Sequence, residues 1–155
     1  MFREEPRFAC ALEALERRDF AEAERELTGL LDGDALAASQ RAFLLNKRGV
    51  ARIGAGLRDA ARADFDAALE ASTRYAPALT NLGNMLLEEG DVDAAIARYE
   101  EAIASDGEYA TAHFNLGVAY KRAGRLADGV KALRRAQRLE GRASAVRSWP
   151  WARRR

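Results

Sequence analysis

Small and large apolar residues recur along the chain in a fixed order, and the order repeats every 34 residues. Between Ala76–Tyr109 and Ala110–Ala143, Asn81-Leu82-Gly83 falls on Asn115-Leu116-Gly117, Gly90 on Gly124 and Ala102 on Ala136. The same step backwards carries Gly83 to Gly49, Gly90 to Gly56, Ala95 to Ala61 and Tyr99 to Phe65. A degenerate copy precedes these three. In it, Arg18-Asp19-Phe20-Ala21-Glu22-Ala23 matches Gly90-Asp91-Val92-Asp93-Ala94-Ala95, with Leu27 and Leu30 at later core positions. The step from Ala23 to Ala61 is four residues longer than the period, which predicts a longer connection around Asp32–Gln40.

Each copy predicts a helix, a tight turn and a second helix. First helices are expected near 4–17, 38–54, 76–89 and 110–123, and second helices near 20–31, 58–71, 92–105 and 126–139. Gly56, Gly90 and Gly124 suit the intervening turns, where positive φ is often required. Gly49, Gly83 and Gly117 let paired helices approach closely, as do Ala61 and Ala95, while Phe65, Tyr99 and Leu133 are expected to fill the space between hairpins. One hairpin cannot bury its apolar face alone, so stability must come from stacking neighbours.

Asn-Leu-Gly, a later Leu86 or Tyr120, then glycine, alanine, an aromatic and alanine resemble the tetratricopeptide repeat, over about residues 4–143. Asn46-Lys47-Arg48-Gly49-Val50-Ala51 is similar to a variant of its opening. The chain departs from the pattern in three ways. Thr73, Gly107 and Gly141 stand where a proline is usual, Gly129 replaces an alanine, and Ala11 replaces the first-helix glycine. The resemblance implies an all-α, right-handed superhelical solenoid of about four hairpins. The repeats would occupy 4–41, 42–75, 76–109 and 110–143 within a domain of residues 1–143, followed by a basic Trp/Arg tail, 144–155.

It also implies a concave groove lined by the first helices, with Asn46, Lys47, Val50, Thr80, Asn81, Asn84, Glu88, Phe114, Asn115, Val118, Lys121 and Arg122 facing a partner peptide or helix. Asn81 and Asn115 stand one repeat apart. Each amide offers a donor and an acceptor, so a column of them can grip a peptide backbone without reading its sequence. Lys47 interrupts that column. A chaperone-type carboxylate clamp is not expected. One register places Phe8, Leu12, Lys47, Pro77 and Asn81 at the clamp positions, the other Asn46, Val50, Asn81, Thr111 and Asn115, and neither supplies the cations a carboxylate needs.

Charge is divided along the chain. Up to Tyr120 there are 13 basic and 22 acidic residues; from Lys121 onwards there are 12 basic and 2 acidic. The end reads Trp149-Pro150-Trp151 and then Arg153, Arg154 and Arg155, where the proline cannot sit inside a helix. Ala145, Val146 and a tryptophan could fold back as a cap over Val130, Leu133 and Ala136, or the tail could be an arm that docks elsewhere. An acidic partner protein is the first expectation for this end. Self-association against the acidic N-terminal region comes second and nucleic acid third. The leading function is an adaptor or scaffold that binds a protein; the alternatives are a self-assembling scaffold and an accessory subunit of a larger enzyme complex.

No catalytic residue, metal site or cofactor is expected. His113 is the only histidine and sits at a packing position; Cys10, the only cysteine, is expected in the core. The pairs Glu88-Glu89 and Glu100-Glu101 point about 100° apart on a helix and form no dyad. No apolar run approaches the roughly 18 residues of a membrane span. The N-terminal acids differ from a signal peptide, and with no disulfide possible the cytoplasm is the expected compartment.

Overall fold

The structure, a computed structural model, describes residues 6–33 and 36–148. Eight helices follow one another: α1 (Pro6–Glu16), α2 (Phe20–Leu31), α3 (Ala38–Gly54), α4 (Arg58–Ala71), α5 (Ala76–Glu89), α6 (Val92–Ser105), α7 (Ala110–Arg122) and α8 (Leu126–Ser148). From α2 to α7 the bounds agree with the predicted ones to within one residue. The extra residues before Ala61 go mostly into an added first turn of α3, so the connection from α2 to α3 is only slightly longer than the others. α8 is longer than predicted. It passes through Gly141 and on to Ser148, because nothing before Pro150 interrupts the backbone ladder. Trp149, Trp151, Arg153, Arg154 and Arg155 lie outside the described residues.

The helices form two compact units, within residues 1–78 and 79–155. In the first, α1 packs on α2, α2 on α3 and α3 on α4; in the second, α6 packs on α7 and α7 on α8. All four hairpin corners are bonded alike. Asp19 N donates to Ala14 O (2.8 Å), Leu57 N to Arg52 O (2.8 Å), Asp91 N to Leu86 O (3.0 Å) and Arg125 N to Tyr120 O (2.8 Å). The bond closes only if the preceding residue is left-handed, as Gly56 (φ 79), Gly90 (φ 90) and Gly124 (φ 77) are. At the first corner Arg18 takes the same conformation (φ 61). The matched aspartates act as matched N-caps: Asp19 accepts from Glu22 N and Asp91 from Ala94 N, each at 3.1 Å.

Within each hairpin the first-helix glycine meets a large side chain of the second helix. A Cβ at Gly49 would lie 2.5 Å from the Phe65 ring, at Gly83 2.6 Å from the Tyr99 ring, and at Gly117 2.7 Å from Leu133. Phe65, Tyr99 and Leu133 therefore wedge inside their own hairpins, not only between hairpins as expected. Tyr99 does both, sharing a core with Leu116, Ala119 and Tyr120 of the next hairpin. In the first hairpin Ala11 and Leu27 hold the equivalent places, both fully buried. Cys10 is exposed rather than in the core, since α1 turns Ala11 and Ala14 inward instead. Of the residues expected to need a cap, Val130 is exposed and Leu133 half-buried, while Ala136 is buried.

The first unit also contains an ionic cluster whose residues are not repeated in the sequence of the next hairpin. Asp64 is almost fully buried and is bridged by Arg48 (Nη2 to Oδ1, 2.7 Å) and Arg52 (Nη1 to Oδ2, 2.9 Å). Arg52 reaches on to Glu24 (2.8 Å) and Arg48 donates to Thr28 Oγ1 (3.2 Å), so α2, α3 and α4 are tied at one point. One repeat later the three positions read Leu82, Leu86 and Arg98.

Truncating Asp64 would leave two guanidinium groups facing each other with little solvent. Asp64→Ala is expected to lower stability by about 3 kcal/mol, read from the urea midpoint. The two kinds of glycine should separate by mechanism. Gly83→Ala forces a methyl group into the Tyr99 ring and should cost about 2 kcal/mol. Gly90→Ala, with nothing within 4 Å, pays only for its left-handed backbone, about 1 kcal/mol.

Candidate functional site

Most of the predicted partner-facing residues belong to the second unit. There α5 carries Thr80, Asn81, Asn84 and Glu88, and α7 carries Phe114, Asn115, Val118, Lys121 and Arg122. Their spacings place 81, 84 and 88 on one face of α5, and 114, 115, 118, 121 and 122 on one face of α7.

A hydrogen-bonded triad joins these faces. Asn115 Nδ2 donates to Asn84 Oδ1 at 2.8 Å, and the Tyr99 hydroxyl donates to the same oxygen at 2.8 Å. The Asn84 carbonyl is thereby filled. The Asn84 amide protons and the Asn115 carbonyl have no bond among the described residues, and both side chains are half-buried. A fixed donor stands beside a fixed acceptor. The Tyr99 phenol is fully buried, and loss of solvent pushes its pKa up to about 12. Arg122 works against that shift and Glu88 adds to it. The phenol therefore stays a donor throughout the physiological range.

Arg122 donates from Nη1 to the Leu87 carbonyl (3.2 Å). The same carbonyl accepts from Gly90 N (3.3 Å), so the guanidinium adds a second bond at the end of α5 and holds a cation beside the triad. Next to it lies an open depression of about 480 Å³, lined by Phe114, Val118, Lys121, Arg122 and Leu133. Phe114 is 51% exposed, unusual for so large an apolar side chain.

Two predicted site residues are corrected. Thr80 is 1% exposed and Asn46 6%, so neither can meet a partner. Asn46, Thr80 and Phe114 are equivalent places one repeat apart. In α5 this place is turned inward. In α7 the same place, Phe114, is open. Of the expected Asn81–Asn115 column, Asn115 pairs with Asn84. Asn81 is half-buried and has a contact of its own. In α3, Val50 is 39% exposed, while the Lys47 ammonium lies over the Phe43 ring, 5.6 Å from its centroid.

His113 is half-buried, with Nε2 3.0 Å from the Gly107 carbonyl at the turn before α7. Glu100 accepts from the Tyr120 hydroxyl (2.7 Å) and Glu101 pairs with Arg98 (2.9 Å). Among the described residues no three His, Cys, Asp or Glu side chains are grouped so as to hold a metal ion. No described helix is long and apolar enough to cross a membrane.

The role of Tyr99 was missed in the sequence. Its signal was there: of Phe65, Tyr99 and Leu133, equivalent across three hairpins, only Tyr99 carries a hydroxyl.

Comparison with known proteins bears on this geometry. Models of the tetratricopeptide repeat match residues 46–97 and 110–142, and a model described as TPR repeat matches 83–124. No curated protein matches the chain. Among solved structures, a crystal structure of MamA is similar with TM-score 0.68 and 23% identity, over 87% of this chain and 77% of that one. YrrB, described as a TPR protein with an unusual peptide-binding site, is similar with TM-score 0.63 and 18% identity, over 87% and 68%. The second TPR of Spaghetti (RPAP3), solved with the HSP90 peptide SRMEEVD, is similar with TM-score 0.60 and 22% identity, over 65% and 94%. At such identities the likeness establishes the fold. With the repeat models covering 46–142 and the same corner at all four hairpins, the chain belongs to the tetratricopeptide repeat family.

Proposed function

We propose that this protein is a non-enzymatic adaptor that binds a segment of a partner protein on the α5/α7 face of its second unit. The observation that carries this reading is the Tyr99–Asn84–Asn115 triad. It presents unused amide donors and an unused acceptor in fixed positions, which is what the C=O and N–H of an extended peptide require. Beside it, Phe114 and Val118 offer an apolar seat, and Lys121 and Arg122 favour an acidic residue next to the seated one. Because a buried phenol already orders the amides, little conformational freedom is lost on binding. Two similar proteins have peptides or peptide sites in their descriptions, which accords with this use of the fold. The clamp for a terminal carboxylate remains outside the proposal, since its register positions in this chain carry too few cations.

The test is affinity capture from native lysate at low and moderate salt, comparing the wild-type chain with an Asn84→Ala, Asn115→Ala, Phe114→Ala variant. A stoichiometric protein that survives moderate salt should be captured by the wild type and lost by the variant. Equal retention on both would remove the face from the account.

Tyr99→Phe should weaken the same capture by about fivefold and cost about 1 kcal/mol of stability, because one buried bond to Asn84 is lost. It should also alter the alkaline response. The folded state raises the phenol from its usual value near 10 to about 12. The neutral form is therefore favoured by folding, and stability is lost as pH rises from 10 through 12. Urea midpoints at pH 9 and 11 should differ less in Tyr99→Phe than in the wild type. Some slope persists, because burial also raises Tyr109 and Tyr120.

A further inference from the structure

The second unit has another concave surface, on the side of α7 away from the triad. It is a groove of about 490 Å³ between α6 and α8, with α7 as its floor. Ile103 and Ala104 of α6, Leu116 of α7 and Ala132 of α8 make its base apolar. Two carboxylates and three cations line its walls, and they are not equivalent. Glu100 is engaged by the Tyr120 hydroxyl (2.7 Å), and Asp128 by Arg125 (2.8 Å), which also stacks on the Tyr120 ring at 4.2 Å. Lys131, Arg135 and Arg138 have no ion pair or hydrogen bond among the described residues. The groove therefore has satisfied acids and uncommitted bases above an apolar floor.

The cations follow the helical repeat. Lys131, Arg135 and Arg138 are spaced by four and three residues, and Arg142 extends the row by four, so they form one stripe along α8 about 16 Å long. A second helix laid along the groove, with acidic residues at the same spacing and apolar residues between them, would match this stripe at every turn. We propose that the α6/α8 groove binds an acidic amphipathic helix of a partner protein, with its carboxylates on Lys131, Arg135 and Arg138 and its apolar side chains on Ile103 and Leu116. Nucleic acid fits less well. Its backbone would leave the apolar base unfilled and would bring phosphates against Glu100 on the opposite wall. This surface is separate from the α5/α7 face, and one chain could use both.

A fluorescein-labelled peptide of about 18 residues, roughly 27 Å as a helix, tests this directly. It would carry glutamates at three- and four-residue spacing with leucines between them, and its anisotropy would be followed with the full-length chain. The peptide should bind, and a scrambled peptide of the same composition should bind more weakly. Lys131→Glu with Arg138→Glu, both at exposed positions, should weaken binding about tenfold. A peptide with lysines in place of its glutamates should bind that variant better than the wild type. Asn84→Ala should leave the affinity unchanged, so failure here and failure of the α5/α7 reading give different results. The proposal is overturned if the charge-reversed variant binds the glutamate peptide as tightly as the wild type does. It is equally overturned if oligothymidylate displaces the peptide at matched ionic strength. It fails too if light scattering shows a concentration-dependent dimer that the reversal abolishes, since the occupant would then be a second copy.

Discussion

The fold rests on the closeness of the two helices in a hairpin, enforced in the last three by a residue without a side chain facing one with a large side chain. Gly49 against Phe65, Gly83 against Tyr99 and Gly117 against Leu133 set the spacing, and Cβ atoms at these glycines would come within 2.5–2.7 Å of the opposing group. The rest follows from that spacing. Backbones this near leave the next hairpin only a shallow apolar surface, which small alanines such as Ala95, Ala102, Ala112 and Ala119 fill completely. Packing of this density punishes added volume as much as lost volume. In the last hairpin both contacting residues are glycines, Gly117 and Gly129, and a Cβ at either would lie 3.0 Å from the other's carbonyl oxygen.

The wedge position also bears on the proposed binding face. Phe65 and Leu133 only fill volume there, whereas Tyr99 reaches past the contact and places a hydroxyl on Asn84. One oxygen atom turns a packing residue into a support for the surface amides. The desolvation that raises its pKa also prevents the phenol from ionising and reversing the direction of that bond. The first unit answers a comparable packing problem differently. Asp64, Arg48 and Arg52 stand where the next repeat has Arg98, Leu82 and Leu86, so directional ionic bonds do there what aliphatic contact does later.

Helix bounds were legible because glycine, aspartate and small-residue positions are local rules, each readable without knowing what lies opposite. Gly56, Gly90 and Gly124 marked three corners, and the Asp19/Asp91 match revealed a fourth whose left-handed residue is an arginine. The site was less legible, since exposure depends on what covers a position. Asn46, Thr80 and Phe114 look alike in register, yet only the last is open. Asn84 was read as a groove residue, but its link to Tyr99 crosses fifteen residues and two helices, which no spacing within a helix encodes. The Asp64 cluster escaped for the same reason. Comparing repeats would have exposed it, because two arginines and an aspartate replace the later pattern together.

The uniform corner has a further consequence. Each corner closes with its own backbone bond and its own left-handed residue, and no two corners share a hydrogen-bond partner. Changes made at different corners should therefore sum, as free energies do for sites without common partners. The corners behave as interchangeable joints, so the chain's stability can be tuned one hairpin at a time without retouching the proposed binding surfaces.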